Sequence, residues 1–296
     1  MPRSTSSSMT ASSKSVPRAL RGALIVGKGF LRDSWHRAHL ACLRWKLVER
    51  GLPVPRQERL FGYTIQVNDN LNYYTLMRNI FLDRIYHFDA ARRDPLILDC
   101  GSNIGMSILY FKRIYPHCRV VGFEPDPVVF RYLSENIASN HVTGVDLVQG
   151  ALAAKDRTAT LFSDGKEGST VGSHASIDAA RGRARYEVPC VRLREHLTST
   201  VDFLKMNIEG SEWEVLADSE DRLGQVREMV IEYHHLPGLP RTLHRILDLL
   251  ARNGFEYLIN DFDAEANHDV HPPFHLAPST RYFLLLYARR RDEAAR

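Results

Sequence analysis

Leu96-Ile97-Leu98-Asp99-Cys100-Gly101-Ser102-Asn103-Ile104-Gly105-Met106-Ser107 is the stretch that decides the fold. Three apolar residues run into an acidic one, glycines follow at 101 and 105, and an apolar-periodic segment continues to Tyr115. This pattern predicts a buried parallel strand that turns tightly into a helix. The next apolar run, Val120-Val121-Gly122-Phe123, predicts a second strand, and it ends in Glu124-Pro125-Asp126. An acidic residue at that tip is placed to accept both hydroxyls of a ribose, so the pair of strands calls for an adenosine-containing cofactor.

The turn itself narrows the cofactor. A dinucleotide fingerprint needs G-x-G-x-x-G and a Walker loop needs G-x-x-x-x-G-K-[ST], and neither is present. The chain has Asp-x-Gly-x-Asn-x-Gly from Asp99 to Gly105. An acidic side chain at the strand end suits a positively charged ligand, which favours S-adenosylmethionine, with its sulfonium and ammonium, over a pyrophosphate. The glycines alone also fit a generic strand-to-helix turn; Glu124 shifts the reading towards a cofactor site.

Outward from this centre, strand and helix alternate. Strands are predicted at 96–100, 119–124, 145–150, 201–208, 226–233, 256–260 and 282–288, and helices at 105–115, 127–139, 211–217 and 240–253. Such alternation specifies an α/β doubly wound sheet with helices on both faces. Ligands of that architecture lie beyond the carboxyl ends of the strands, where Asp99, Glu124, Asn207 and Glu232 fall. Residues 163–186, rich in Gly, Ser, His and Arg and without a period, read as a substrate lid. There His174, Arg181, Arg183 and Arg185 form either an anion-contacting group or a solvated charged face.

The 296 residues are 44% hydrophobic and 25% charged, which describes a globular chain. No apolar run approaches the roughly 20 residues that span a bilayer. Cys42, Cys100, Cys118 and Cys190 form no C-x-x-C pair, so reduced thiols and a cytoplasmic location are expected. Charge is unevenly spread: residues 1–60 carry twelve Lys/Arg against three Asp/Glu, and the remainder 27 against 32. Four regions are expected. Residues 1–17, rich in Ser and Thr and free of acid, form a disordered tail; 18–94 hold a basic helix and a lead-in module; 95–290 form the cofactor-binding domain; 291–296 are a tail. The Ser/Arg-rich start also resembles a transit peptide, but it lacks the apolar core of a secretory signal. Leu31, Trp35, Ala38, Cys42 and Trp45 make an apolar stripe with Arg32, His36, Arg37, Arg44 and Lys46 off it. That helix either packs on the main domain or docks on an anionic membrane or a protein partner. In the lead-in module, Tyr63–Val67 predicts a short strand and Tyr73, Met77, Ile80, Phe81 and Ile85 an amphipathic helix.

Taken together, LILDCGSNIGMS at 96–107, FEPDP at 123–127, VDFLKMNIEGSEWEVL at 201–216, IEYHH at 231–235 and GFEY at 254–257 resemble the FkbM-type S-adenosylmethionine-dependent methyltransferases over roughly residues 60–290. The resemblance implies the class I methyltransferase fold, a Rossmann-like seven-stranded sheet whose last strand runs antiparallel, here with an N-terminal helical extension. It also implies methyl transfer to a hydroxyl oxygen of a small molecule, a glycan or a secondary metabolite. Matched by position, Gly101, Ser102, Asn103 and Gly105 form the cofactor turn, Glu124 holds the ribose, and Ala151 lines the adenine; Asp99 and Asn207, at strand ends beside it, are also expected to bind the cofactor. Asp126 either contacts the adenosine or caps the helix that starts at Pro127. Asn207 stands where many relatives carry an aspartate; without that charge no metal is expected.

Methyl transfer from a sulfonium requires positioning and removal of the acceptor proton. The strand tips offer Glu209, Glu232, His234 and His235, of which His234 with Glu209 is expected to be the base and Glu232 an orienting group. The histidines also fit a solvated loop before Pro237. A nucleic-acid methyltransferase would use the basic arm on phosphates. It would also want Asn-Pro-Pro-Tyr at the tip where this chain has Asn207-Ile208-Glu209-Gly210, so nucleic acid is not the expected partner. A non-catalytic cofactor-binding scaffold is suggested by Asn207 and opposed by Gly101, Gly105, Glu124, Glu209 and His234. Neither the acceptor's identity nor the oligomeric state follows from the residues.

Overall fold

The computed structural model describes residues 40–163, 165, 169–171 (backbone only), 184–260 and 280–291. The expected tail at 1–17, most of the basic helix, and His174, Arg181 and Arg183 lie outside these residues. The chain divides into two compact units, Met1–Gly51 and Leu52–Arg296. In the first, residues 40–44 are helical and Trp45–Glu49 continue as a π-turn. Cys42 and Trp45, expected on a packing stripe, are exposed there, whereas Leu47 is buried.

The second unit opens with a hairpin, β1 (Arg56–Leu60) and β2 (Tyr63–Val67). Phe61 and Gly62 turn it with φ of 49° and 94°, the left-handed pair that matches strand twist in a two-residue loop. Asp69 caps α1 (Asn70–Leu76) by accepting from Asn72 N at 2.9 Å. The helix passes into a π-turn at Met77–Leu82 and ends before Ile85, short of the expected length.

The sheet then alternates as its apolar runs require: β3 (Leu96–Cys100), α2 (Met106–Ile114), β4 (Arg119–Phe123), α3 (Pro127–Ser139) and β5 (Val145–Val148). Here the expected strand 145–150 divides. After Gly150 the chain enters β6 (Ala151–Leu152), part of a separate four-stranded sheet with β7 (Thr158–Ser163), β8 (Ser169–Val171) and β9 (Ala184–Val191) in the order β6-β9-β7-β8. The flanks of the supposed unperiodic insertion are therefore paired strands. Arg185 sits exposed on β9, its guanidinium 3.4 Å from Glu187 Oε1, as a solvated charge would.

The main sheet is completed by β10 (Val201–Met206), α4 (Glu212–Asp218), β11 (Val226–His235), α5 (Leu243–Arg252), β12 (Phe255–Asn260) and β13 (Tyr282–Arg290). Its seven strands run β12-β13-β11-β10-β3-β4-β5. β13 is antiparallel to both neighbours, and β11 through β5 are parallel. This is the class I methyltransferase arrangement.

Each strand sends alternate side chains to opposite faces. One face carries Leu98, Cys100, Leu204, Met206, Met229, Ile231 and Tyr233, which join α4 and α5 residues in a continuous apolar core. The other face is covered partly by the lead-in module: Phe88 stacks on Phe203 at 4.3 Å with 7° between ring planes. The module is also held by polar groups. Asn136 Oδ1 on α3 accepts from Gln66 N at 2.6 Å, and the Asn140 side chain exchanges two 2.8 Å bonds with the Thr64 backbone. These amides satisfy the open edge of β2 as a neighbouring strand would.

Candidate active site

The cofactor turn is built by backbone before side chains. Gly101 and Ser102 both donate their N–H to Phe123 O, at 3.0 and 2.8 Å, tying the end of β3 to the end of β4. Gly101 has φ of 85° and Gly105 90°, left-handed values that glycine adopts without a Cβ clash. Asn103 is also left-handed, and its Oδ1 accepts from Ile104 N and from Asn72 Nδ2 of α1. Asn72 belongs to the lead-in module and was not among the expected site residues.

Glu124 is 6% exposed at the tip of β4. Its Oε2 accepts from Asn103 N at 2.9 Å and its Oε1 from Asp126 N at 3.0 Å. Burial pushes its pKa up to about 7, and the two N–H donors only partly offset that. The carboxylate thus ties the turn after β3 to the segment that leads into α3. Asp126 caps α3: Oδ1 accepts from Val128 N and Val129 N at the start of the helix, and Oδ2 accepts from Ser163 Oγ.

Asp99 lies deeper than expected. It is fully buried, accepts from Ser107 Oγ at 2.5 Å, and faces Lys205 Nζ at 3.2 Å. Register explains the pair: Asp99 of β3 stands opposite Lys205 of β10. The carboxylate is thus paired with an internal ammonium and bonded to the first turn of α2, so it supports the turn. Lys205 also donates to Gly101 O. Ser102 likewise points inward, its Oγ donating to Asp99 O at 3.0 Å, and Ala151 is buried on β6.

At the tips of β10 and β11 a second polar group assembles. Glu232 Oε2 accepts from Asn207 Nδ2 at 2.9 Å, and its Oε1 accepts from Tyr86 of the lead-in module. Asn207 Oδ1 is buried with no hydrogen-bond partner. His234 follows on the same face of β11. Its Nδ1 lies 2.9 Å from Glu232 O and 3.3 Å from Glu212 Oε1, and its Nε2 lies 3.7 Å from Glu209 Oε1. Burial opposes a charge on this ring, but Glu209, Glu212 and Glu232 outweigh it and push the pKa up to about 10. His234 is therefore an imidazolium at neutral pH, which conflicts with its expected role as the proton-accepting base. Glu209 has φ of 54°, ahead of Gly210 at 99°, and its side chain is 27% exposed where those of Glu212 and His234 are 1% and 7%. His235, on the opposite face, lies against Tyr282 with ring centroids 4.9 Å apart and planes tilted by 36°. Among the described residues no three His, Cys, Asp or Glu side chains gather in a metal-holding arrangement.

Residues 99–257 match the Methyltransferase FkbM domain. The chain belongs to the FkbM methyltransferase family. It is 28% identical over 220 residues to methyltransferase sdnD of Sordaria araneosa, covering 61% of this chain and 85% of that one. It is 28% identical over 230 residues to 31-O-demethyl-FK506 methyltransferase FkbM of Streptomyces tacrolimicus, covering 66% and 86%. Among solved structures, M. jannaschii TYW2 in complex with AdoMet aligns at a TM-score of 0.44 and 14% identity over 81% of this chain and 89% of that one. Methyltransferase FkbM from Methylobacillus flagellatus KT aligns at 0.42 and 15%, over 75% and 56%. As an FkbM methyltransferase the chain uses S-adenosylmethionine, and its residues fit that group. Glu124 offers an acceptor for ribose hydroxyls, and the orphaned Asn207 oxygen an acceptor for a cationic donor. Tyr86, Asn72, Lys205 and Glu212 also contact these groups and were not among the expected residues; a charged Lys205 inside the apolar run Val-Asp-Phe-Leu-Lys-Met was an available signal.

Proposed function

We propose that this FkbM-family methyltransferase transfers methyl to the hydroxyl oxygen of a small-molecule, glycan or secondary-metabolite acceptor. The observation that carries the reading is Glu209: a partly exposed carboxylate on a left-handed turn at the tip of β10, beside the buried imidazolium of His234. When bound, S-adenosylmethionine supplies a methyl group on a sulfonium, an already activated leaving group. Glu124 would hold the ribose, and Asn207 Oδ1 the ammonium of the methionine part. Glu209 takes the proton given up by the acceptor hydroxyl. An alcohol oxygen becomes strongly acidic as it gains the methyl carbon, so an ion-paired carboxylate suffices as base. His234, between Glu209 and Glu212, helps hold the Glu209 carboxylate in place. The name of the Streptomyces relative, which puts its methyl group on an oxygen, supports the same acceptor atom. Free, buried Cys100, Cys118 and Cys190 support the cytoplasmic setting that belongs to this reading.

The test is product analysis with labelled methyl donor and paired hydroxyl and amine acceptors. Label on oxygen, with Glu209→Gln lowering kcat by about 10²–10⁴-fold at near-constant cofactor affinity, supports the assignment. Label found on nitrogen or carbon overturns it.

A further inference from the structure

Tyr86 comes from the lead-in module, far in sequence from the strand tips, yet it is 2% exposed and its hydroxyl donates to Glu232. Glu232 is itself buried, and its second oxygen accepts from Asn207 Nδ2 at 2.9 Å. An ionised carboxylate can only accept, so it forces the NH₂ end of the neighbouring amide towards itself. The carbonyl end must then face away, and Asn207 Oδ1 is indeed buried and unpartnered. A buried acceptor left open is costly unless a ligand donor completes it. Lys205 adds to the fixation, its ammonium 5.4 Å from the centre of the Tyr86 ring.

From this chain of contacts we propose that Tyr86 is a positioning residue: through Glu232 it locks the Asn207 amide so that Oδ1 faces the ammonium of the cofactor's methionine part. The inference rests on the cofactor contact assigned to Asn207 above and extends it to a residue of the lead-in module. Without the Tyr86 hydroxyl, Glu232 has one donor fewer holding it, and the amide can swing or turn over. An Asn207 turned the other way would present NH₂ to an ammonium, donor against donor. Glu232→Gln has the same consequence by another route, because a glutamine NH₂ can donate to Asn207 Oδ1 and release its orientation.

Two ligands separate this role from a merely structural one. S-adenosylhomocysteine carries the ammonium; 5′-methylthioadenosine has the same adenosine and sulfur without it. Calorimetry on the full chain is expected to show Tyr86→Phe and Glu232→Gln each weakening S-adenosylhomocysteine by about tenfold, the scale of one hydrogen bond to a charged group. Methylthioadenosine affinity should stay within about twofold of the parent, since nothing it contacts depends on the lock. In an Asn207→Ala background, Tyr86→Phe should cause no further change. Equal weakening of both ligands, no weakening of either, or an undiminished Tyr86→Phe effect in the Asn207→Ala background would overturn the proposal. Failure of the unsubstituted chain to bind either ligand would instead sink the cofactor reading on which it rests.

Discussion

Gly101 and Asn207 meet backbone to backbone: a Cβ on Gly101 would lie 1.9 Å from the Asn207 carbonyl oxygen. The contact exists because the ends of β3 and β10 are neighbours in the sheet, with Asn207 N donating to Cys100 O at 2.9 Å. The glycine is required by the meeting of two strands as much as by any ligand. Gly101→Ala should therefore distort the cofactor turn, lowering stability by about 3 kcal/mol or more from left-handed strain plus the backbone clash. Gly62→Ala, also left-handed but with nothing within 4 Å, isolates the strain component, at about 1–2 kcal/mol. Thermal or denaturant unfolding of both variants checks the ranking, and equal losses would show that the close approach does not matter.

Glu124 links cofactor binding to pH. Burial raises its pKa to about 7, so below that value it is neutral in the free protein, whereas ribose hydroxyls donate best to the ionised form. Affinity for S-adenosylhomocysteine should rise from pH 6 to pH 8, with proton release on binding. Glu124→Ala should weaken binding by roughly 1.5–3 kcal/mol at pH 8, and Glu124→Gln should flatten the pH dependence. For folding the sign is opposite: an acid whose folded pKa exceeds its unfolded one stabilises below about 4.5 and loses that contribution as pH rises through about 7. Calorimetric titrations at several pH values read both effects.

The imidazolium of His234 makes a different prediction from a histidine base. With its pKa raised to about 10, it stays charged from pH 5.5 to 8, so kcat should show no histidine inflection there from this residue. Its contribution to stability is complete below the unfolded value of 6.5 and is lost as pH rises through about 10. His234→Ala leaves Glu212 and Glu232 buried without their cation, at a cost of about 3–5 kcal/mol. A wild-type rate that rises through pH 6.5, with the inflection abolished in His234→Gln, would return the base role to the histidine.

Lys205 and Asp99 form a buried pair whose two halves depend on each other, 3.2 Å apart. Lys205→Met should cost about 3–5 kcal/mol, because it strands a carboxylate that is fully buried. Adding Asp99→Asn should recover much of the loss, since the stranded charge is then gone. Additive losses in the double variant, measured by urea unfolding, would mean that the pair is not coupled.

The residues alone determined the parts of this protein that local pattern can carry. The apolar run 96–98 followed by Gly101 and Gly105 announced β3, its turn and α2, because a strand-to-helix reversal needs just such residues in sequence. Asp126 before Pro127 carried a helix cap, and Glu124 a strand tip, for the same local reason. The pairing of β6 to β9 was not legible, because two residues are too few to show a strand period and their partner lies far along the chain. Nor was the lead-in module's share in the site, since Tyr86 and Glu232 are 146 residues apart and only packing on the covered face of the sheet joins them. The same holds for charge. Sequence shows His234 with Glu209, Glu212 and Glu232 among the six glutamates of 209–234, and a histidine's own pKa suggests a base. Tertiary structure buries the ring among the carboxylates, and their combined field, too short in range to be read from spacing, decides that it is a cation.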